Sequence, residues 1–220
     1  MAPHGYYAPA PMVPAIDFHG IASKQAWRKL WMSIAMTVGG LVVGVLALAV
    51  GFIVFIAIIM IIAGIVMFFG ALAALTDPTR NLRNLGTTEI QRRQALRFAE
   101  QELAQPGTSV LQVGTGRALL GPTWVAYHDS EALLVAQRHD VIWFYVVQKK
   151  NNRQLKVHLR AMNIVEIDLD AFKEQQLLPA FSHALPYALQ GYDARLVSTP
   201  IHMLAQEVDR RRMGPSPYGY

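Results

Sequence analysis

The sequence predicts an α+β protein: a transmembrane helical hairpin, then a soluble domain in which an antiparallel sheet of about five strands is flanked by helices. Three observations carry this. An uncharged apolar block runs from Leu30 to Leu75. From Ser109 to Asp170 the apolar residues alternate at the spacing of strands. From Ala171 to Arg212 the spacing is helical again. A run of strands bounded by helices is the pattern of an α+β domain.

The apolar block holds 46 residues. As one helix it would be roughly 69 Å long at 1.5 Å per residue, whereas a bilayer core of about 30 Å needs about 20 residues. Two spans fit that length. From Leu30 to Thr76 no Asp, Glu, Lys, Arg or His occurs, so the block offers water no polar face. The turn between the spans is placed near 50–52, at Val50-Gly51-Phe52. The first helix is expected from about Lys24, with Ser23 as N-cap. The second is expected to stop at Thr76-Asp77-Pro78, because Pro disfavours the helical conformation of the residue before it.

The flanks set the orientation. Lys24, Arg28 and Lys29 precede the block, and Arg80, Arg83, Arg92 and Arg93 follow it. The connecting turn is neutral. The positive-inside rule puts both flanks on the cytoplasmic side, making the chain a multi-pass integral membrane protein with cytoplasmic N- and C-termini. Gly40, Gly44, Ala47 and Gly51 follow one another along one helix face. Small residues at this spacing let helices approach closely, so the face packs either on the second helix of the same chain or on a second copy. With no ionisable group inside the block, a transporter or channel is disfavoured.

Residues 1–22 and 214–220 are rich in Pro, Tyr and Gly and are expected to be disordered tails. The soluble domain is then expected over 77–213, after a hairpin over 23–76. From Asp77 onward there are 17 basic and 14 acidic residues. A surplus of three is too mild for a nucleic-acid partner, but it suits a bilayer carrying anionic lipid. The absence of Cys excludes disulfides, thiolate catalysis and Cys-ligated metal.

Within the soluble part, Thr88 and Gln91 form a capping box for a helix ending near Gln105. Its apolar side is Ile90, Leu96, Ala99 and Leu103. Strands follow over 109–113, over 122–128 as one strand or a pair of short ones, and over 132–137. The next strand, 140–148, is apolar on both faces and is therefore placed centrally. Lys149 to Arg153 is a hairpin tip. Leu155, Val157 and Leu159 point inward on the return strand, and 163–170 carries Glu166, Asp168 and Asp170 on one face. A helix from Ala171 to about Leu189 is expected to be kinked or split by Pro179 and Pro186, and Pro200 starts the last helix.

The order of parts resembles a family of uncharacterised bacterial membrane-anchored proteins. The resemblance rests on Asp77-Pro78, on Leu82 to Gly86, on Glu102-Leu103 and on Thr123-Trp124. Trp143-Phe144-Tyr145 and Gly191-Tyr192 add to it. It implies a bacterial inner membrane and no established activity. The soluble part is also similar in outline to pleckstrin-homology-like domains, an analogy of fold that carries no function.

No catalytic constellation is legible. Gly114-Thr115-Gly116-Arg117 lacks the Lys-Ser/Thr of a phosphate loop and reads as a turn. His128-Asp129 and His139-Asp140 sit at strand ends without further ligands at metal spacing. No metal, catalytic residue or cofactor is therefore assigned. The basic tip, Lys149, Lys150, Arg153 and Lys156, is the candidate contact for lipid headgroups. The expected function is a membrane-anchored, non-catalytic protein whose cytoplasmic domain binds a protein partner or the membrane surface. The alternatives are a sensor of anionic lipid or a small ligand, and a hydrolase, which would need a nucleophile–base pair or a metal cluster.

Overall fold

The computed structural model describes residues 16–46, 51–149 and 152–213. The chain forms two compact units, one over Asp17–Arg93 and the other from Gln94 onward.

In the first unit, helices α1 (Phe18–Leu46) and α2 (Gly51–Thr76) pack on each other. They run antiparallel: Thr37 lies beside Gly64, and Gly40 lies beside Met60 and Ile61. A Cβ on Gly40 would stand 3.0 Å from the Met60 Cβ, so at this position the small-residue face serves the partner helix of the same chain. Ala47 lies outside the described residues. Gly51 and Phe52, expected in the turn, already belong to α2. The first helix also begins earlier than Lys24. Asp17 caps it, its carboxylate accepting from the Gly20 amide at 2.8 Å, so Ser23 lies inside the helix. One stretch of the described residues, Ile58–Thr76, is long and apolar enough to cross a membrane, with mean hydropathy 2.8.

A connector follows α2, and Arg92 organises it. Its guanidinium donates to Thr79 Oγ1 at 3.1 Å, to the Gly86 carbonyl at 3.1 Å and to the Thr87 carbonyl at 2.9 Å, and it pairs with Asp77. Arg92, counted above as a basic flank, is thus a buried internal ion pair. Gly86 sits at φ +151° and ψ 161°, a region essentially restricted to glycine. A Cβ there would also lie 2.6 Å from the Gln91 Cβ. The capping box forms as expected. Thr88 Oγ1 accepts from the Gln91 amide at 3.3 Å, and Gln91 Oε1 accepts from the Thr88 amide at 3.2 Å. Helix α3 (Glu89–Leu103) buries Leu96, Ala99 and Leu103 but leaves Ile90 78% exposed. Arg92 takes the buried place in its first turn.

The second unit has two four-stranded sheets instead of one sheet of five. Strands β1 (Ser109–Val113), β2 (Gly116–Leu120), β3 (Trp124–His128) and β4 (Leu133–Gln137) form an antiparallel meander. A single 3-10 turn, Arg138–Asp140, leads to β5 (Val141–Lys149), β6 (Asn152–Leu159) and β7 (Ile164–Leu169), also antiparallel. Helix α4 (Ala171–Ala184) is capped by Asp170 and ends just before Pro186, with Pro179 inside it. Strand β8 (Leu189–Gln190) adds to β5 in parallel, so the sheet order is β7-β6-β5-β8. Helices α5 (Ala194–Val197) and α6 (Ile201–Met213) complete the described chain.

One core joins the two sheets and α4: Val125, Tyr127 and Leu134 meet Phe144, Leu155, Val157 and Phe181. A second cluster joins the opposite face of β5 to α6 through Trp143, Tyr145, Leu204 and Val208. Strand β5 is therefore buried on both sides, as its sequence indicates. Leu155, Val157 and Leu159 are fully buried. Strands β2 and β8 are additional to the expected set.

Gly86→Ala is expected to lower stability by about 2 kcal/mol from backbone strain alone. Arg92→Leu, which leaves Asp77 without its partner, is expected to cost about 3 kcal/mol. Chemical denaturation of the detergent-solubilised chain, followed by circular dichroism, measures both. Losses below a quarter of these values would refute the clamp.

Candidate functional site

The basic tip faces one carboxylate of β7 and one of α4. Strands β6 and β7 pair Lys156 with Glu166 and Gln154 with Asp168 directly across the ladder, where opposite charges stabilise one another. Lys156 Nζ lies 2.9 Å from Glu166, Lys149 Nζ lies 4.0 Å from it, and Arg153 lies 2.8 Å from Glu174. The Lys156 ammonium holds the Glu166 carboxyl below its ordinary range, and Glu166 in turn raises Lys156. Asp168 accepts from Gln154 at 2.7 Å, and Asp170 caps α4. Lys150 lies outside the described residues. The three described tip cations thus face carboxylates of their own unit. The acidic face likewise has its own partners.

Residues that read as sequence motifs meet in space. Glu102, near the end of α3, accepts from the Thr123 amide at 2.8 Å and the Trp124 amide at 3.0 Å, and from the Thr123 hydroxyl. It thereby fixes the start of β3. Trp143 donates its indole N–H to the Gly191 carbonyl at 2.8 Å, locking β8 beside β5. Tyr145 stands 5.6 Å from Tyr192 and stacks on His158 at 5.5 Å. These are closures of the fold.

The His-Asp pairs do not form a metal centre. Asp129 accepts from the Tyr127 hydroxyl at 2.8 Å and from the Glu131 and Ala132 amides at 2.7 Å, and Lys173 lies 3.5 Å away. Burial raises its carboxyl, but these donors outweigh burial and hold it below the ordinary range. Burial, reinforced by Asp129, pushes the Tyr127 phenol far up. Tyr127 therefore stays a neutral donor. His139 lies 3.5 Å from Asp140. Among the described residues, no group of three or more His, Asp or Glu is placed to hold a metal.

A concave feature lies elsewhere, where the β4–β5 turn, the α4–β8 connection and α6 come together. A cleft of about 370 Å³ is lined there by Arg138, His139, Leu185, Tyr187, Val208 and Arg212. This is within the range of small-molecule sites. Arg138 follows β4, and its amide donates to the Thr123 carbonyl at 2.8 Å, which pins the turn. Its Nε is buried without a hydrogen-bond partner among the described residues. Arg138 also borders a smaller hollow of about 260 Å³ shared with His183 and Ser109.

One carboxylate, Asp209, lines the cleft and is already engaged. Arg160 grips it with two bonds, at 2.7 and 3.1 Å, and also reaches the His139 carbonyl at 3.4 Å. The Arg160 guanidinium first, then Arg212 and His139, hold the Asp209 carboxyl below its ordinary range. Arg138 and Arg212 come from distant parts of the chain. The sequence signal was weak: an Arg-His-Asp turn between two strong strands.

Two imidazoles report the fold through pH. His128 is depressed by burial and by Arg117, and His158 by burial and by Lys156, both from an ordinary value of 6.5. The unfolded chain takes up these protons near 6.5, while the folded chain resists them until lower pH. Stability is therefore expected to fall as pH drops from about 7 to 5. His128→Gln with His158→Gln should flatten that decline in a thermal melt. An unchanged slope would exclude these two residues as its source.

Comparison with protein-family models, with curated proteins and with solved structures finds no match to this chain.

Proposed function

We propose that the protein is an integral membrane protein anchored by α1 and α2 as a two-span hairpin, with both chain ends on the cytoplasmic side. We propose further that its β-rich unit is a non-catalytic binding module. One observation carries the anchor. Along α2 the side chains of Ile58, Ile59, Ile62, Ile65, Val66 and Phe69 are all exposed, and only 11% of the Ile58–Thr76 stretch is buried. Transfer of a Leu, Ile, Val or Phe side chain from water to an apolar phase is worth about 1.5–3 kcal/mol. A bilayer core supplies that phase. On α1, Trp27 and Trp31 are exposed four residues apart, as expected of aromatics at a membrane interface. Lys24, Arg28 and Lys29 beside them support the cytoplasmic orientation.

For the module, the cleft supports the sensor reading over contact through the β5–β6 tip. The described tip cations face Glu166 and Glu174, whereas the cleft combines arginines with an apolar wall. The non-catalytic reading is supported by how the polar groups are used. Glu102, Asp129 and Asp209 each act as acceptors that hold neighbouring backbone or side chains in place.

The chain has no Cys, so single cysteines report topology cleanly. Cysteines at the exposed turn residues Thr115 and Ser130 are expected to resist an impermeant maleimide in intact cells and to react after lysis. The protein should stay in the pellet after alkaline carbonate extraction. Labelling in intact cells would overturn the orientation, and release by carbonate would overturn the anchor.

A further inference from the structure

We infer that the cleft at Arg138 binds a small organic anion, a carboxylate or phosphate monoester carried on an apolar body. This rests on the reading of the β-rich unit as a binding module and names its ligand class. Three features of the site point the same way.

The first is charge. Arg138 and Arg212 line the cleft, where the one carboxylate is Asp209, near enough to Arg212 to feel its charge. The acid that might have neutralised them, Asp209, is held by Arg160. The site therefore keeps a cationic surplus in a partly enclosed volume, where an anion gains more than it would on open surface.

The second is donor geometry. Arg138 Nε is buried and unpartnered, and a buried donor left without an acceptor is costly. A planar guanidinium presents parallel N–H groups that match the two oxygens of a carboxylate or phosphate. The backbone bond from Arg138 to Thr123 fixes where that fork begins.

The third is the wall. Leu185, Pro186, Tyr187 and Val208 give the ligand an apolar bed beside the arginines. A bare inorganic ion would leave this bed uncovered. An anion attached to an aromatic or aliphatic group would use both halves. The same chemistry could reach the site as a free metabolite or as a phosphomonoester lipid headgroup.

The test uses the full chain in phosphatidylcholine nanodiscs and isothermal titration calorimetry. The probes are phenyl phosphate, benzoate, inorganic phosphate and benzyl alcohol. Phenyl phosphate and benzoate are expected to bind at least tenfold more tightly than benzyl alcohol, and inorganic phosphate more weakly than phenyl phosphate. Arg138→Gln should weaken phenyl phosphate at least tenfold and Arg212→Gln severalfold, while Lys149→Gln leaves it unchanged. Arg138→Lys, which keeps the charge without the fork, should fall between wild type and Arg138→Gln. If Arg138→Gln fails to fold by circular dichroism, Arg138→Lys and Arg212→Gln carry the comparison. Nanodiscs containing phosphatidic acid distinguish the sources. Competition with phenyl phosphate assigns a lipid headgroup, and unchanged binding assigns a free anion. Equal affinity for benzoate and benzyl alcohol would overturn the inference while leaving a binding module in place. Binding indifferent to both arginines, or no anion binding in either disc, would overturn it as well. Neither result would bear on the anchor, which carbonate extraction judges separately.

Discussion

Strand β5 has no face for water, and the layers of the β-rich unit are arranged around that constraint. Its odd and even side chains are both apolar, so one sheet face cannot bury it. Phe144 enters the core shared with the β1–β4 meander and α4, and Trp143 and Tyr145 enter the cluster with α6. The two sheets and two of the helices are thus placed by a single nine-residue strand. The cleft is a by-product of the same arrangement. It opens where the chain enters β5, between the α4–β8 connection and α6.

A second constraint concerns polar groups. The chain has few charges, and most that lie near the core are committed to one another. Arg92 closes the connector, Glu102 holds the start of β3, Asp129 organises the β3–β4 turn, and Asp209 anchors α6 to Arg160. Buried polar groups require such partners. This explains why several residues that read as possible chemistry serve as fasteners. Arg138, whose Nε is buried without such a partner, lies at the cleft.

Much of the architecture was legible because local physics and fold agree. The Thr88–Gln91 capping box, the two apolar faces of β5 and the inward Leu155, Val157 and Leu159 all follow from spacing. What escaped had no period to read. In β2 the adjacent residues Ala118 and Leu119 are both fully buried, which erases alternation. Its true signal was the two-residue Gly114-Thr115 loop, with Gly114 at φ +59°, a hairpin cue. Strand β8 is two residues long and is defined by its neighbour. Ile90 fits the helical stripe of α3, but the buried place went to Arg92, whose partners are set by the connector. The cleft joins a β-turn to the last helix, a juxtaposition that no local window contains.

The parallel pairing of β8 with β5 bears on how the chain is assembled. The β1–β4 meander uses neighbouring strands and can zip up locally. The second sheet cannot be finished that way. Its edge is closed by the Gly191 amide on the Phe144 carbonyl at 3.1 Å and by the Trp143 indole on the Gly191 carbonyl, contacts that wait for β6, β7 and α4 to be made first. Such non-local contacts slow folding. During synthesis the open side of β5, with Trp143 and Tyr145 facing out, stays uncovered until the final helix has left the ribosome. An aromatic sheet face beside an unpaired strand edge, displayed for that interval, is a natural substrate for chaperones and a site for mispairing with another nascent chain.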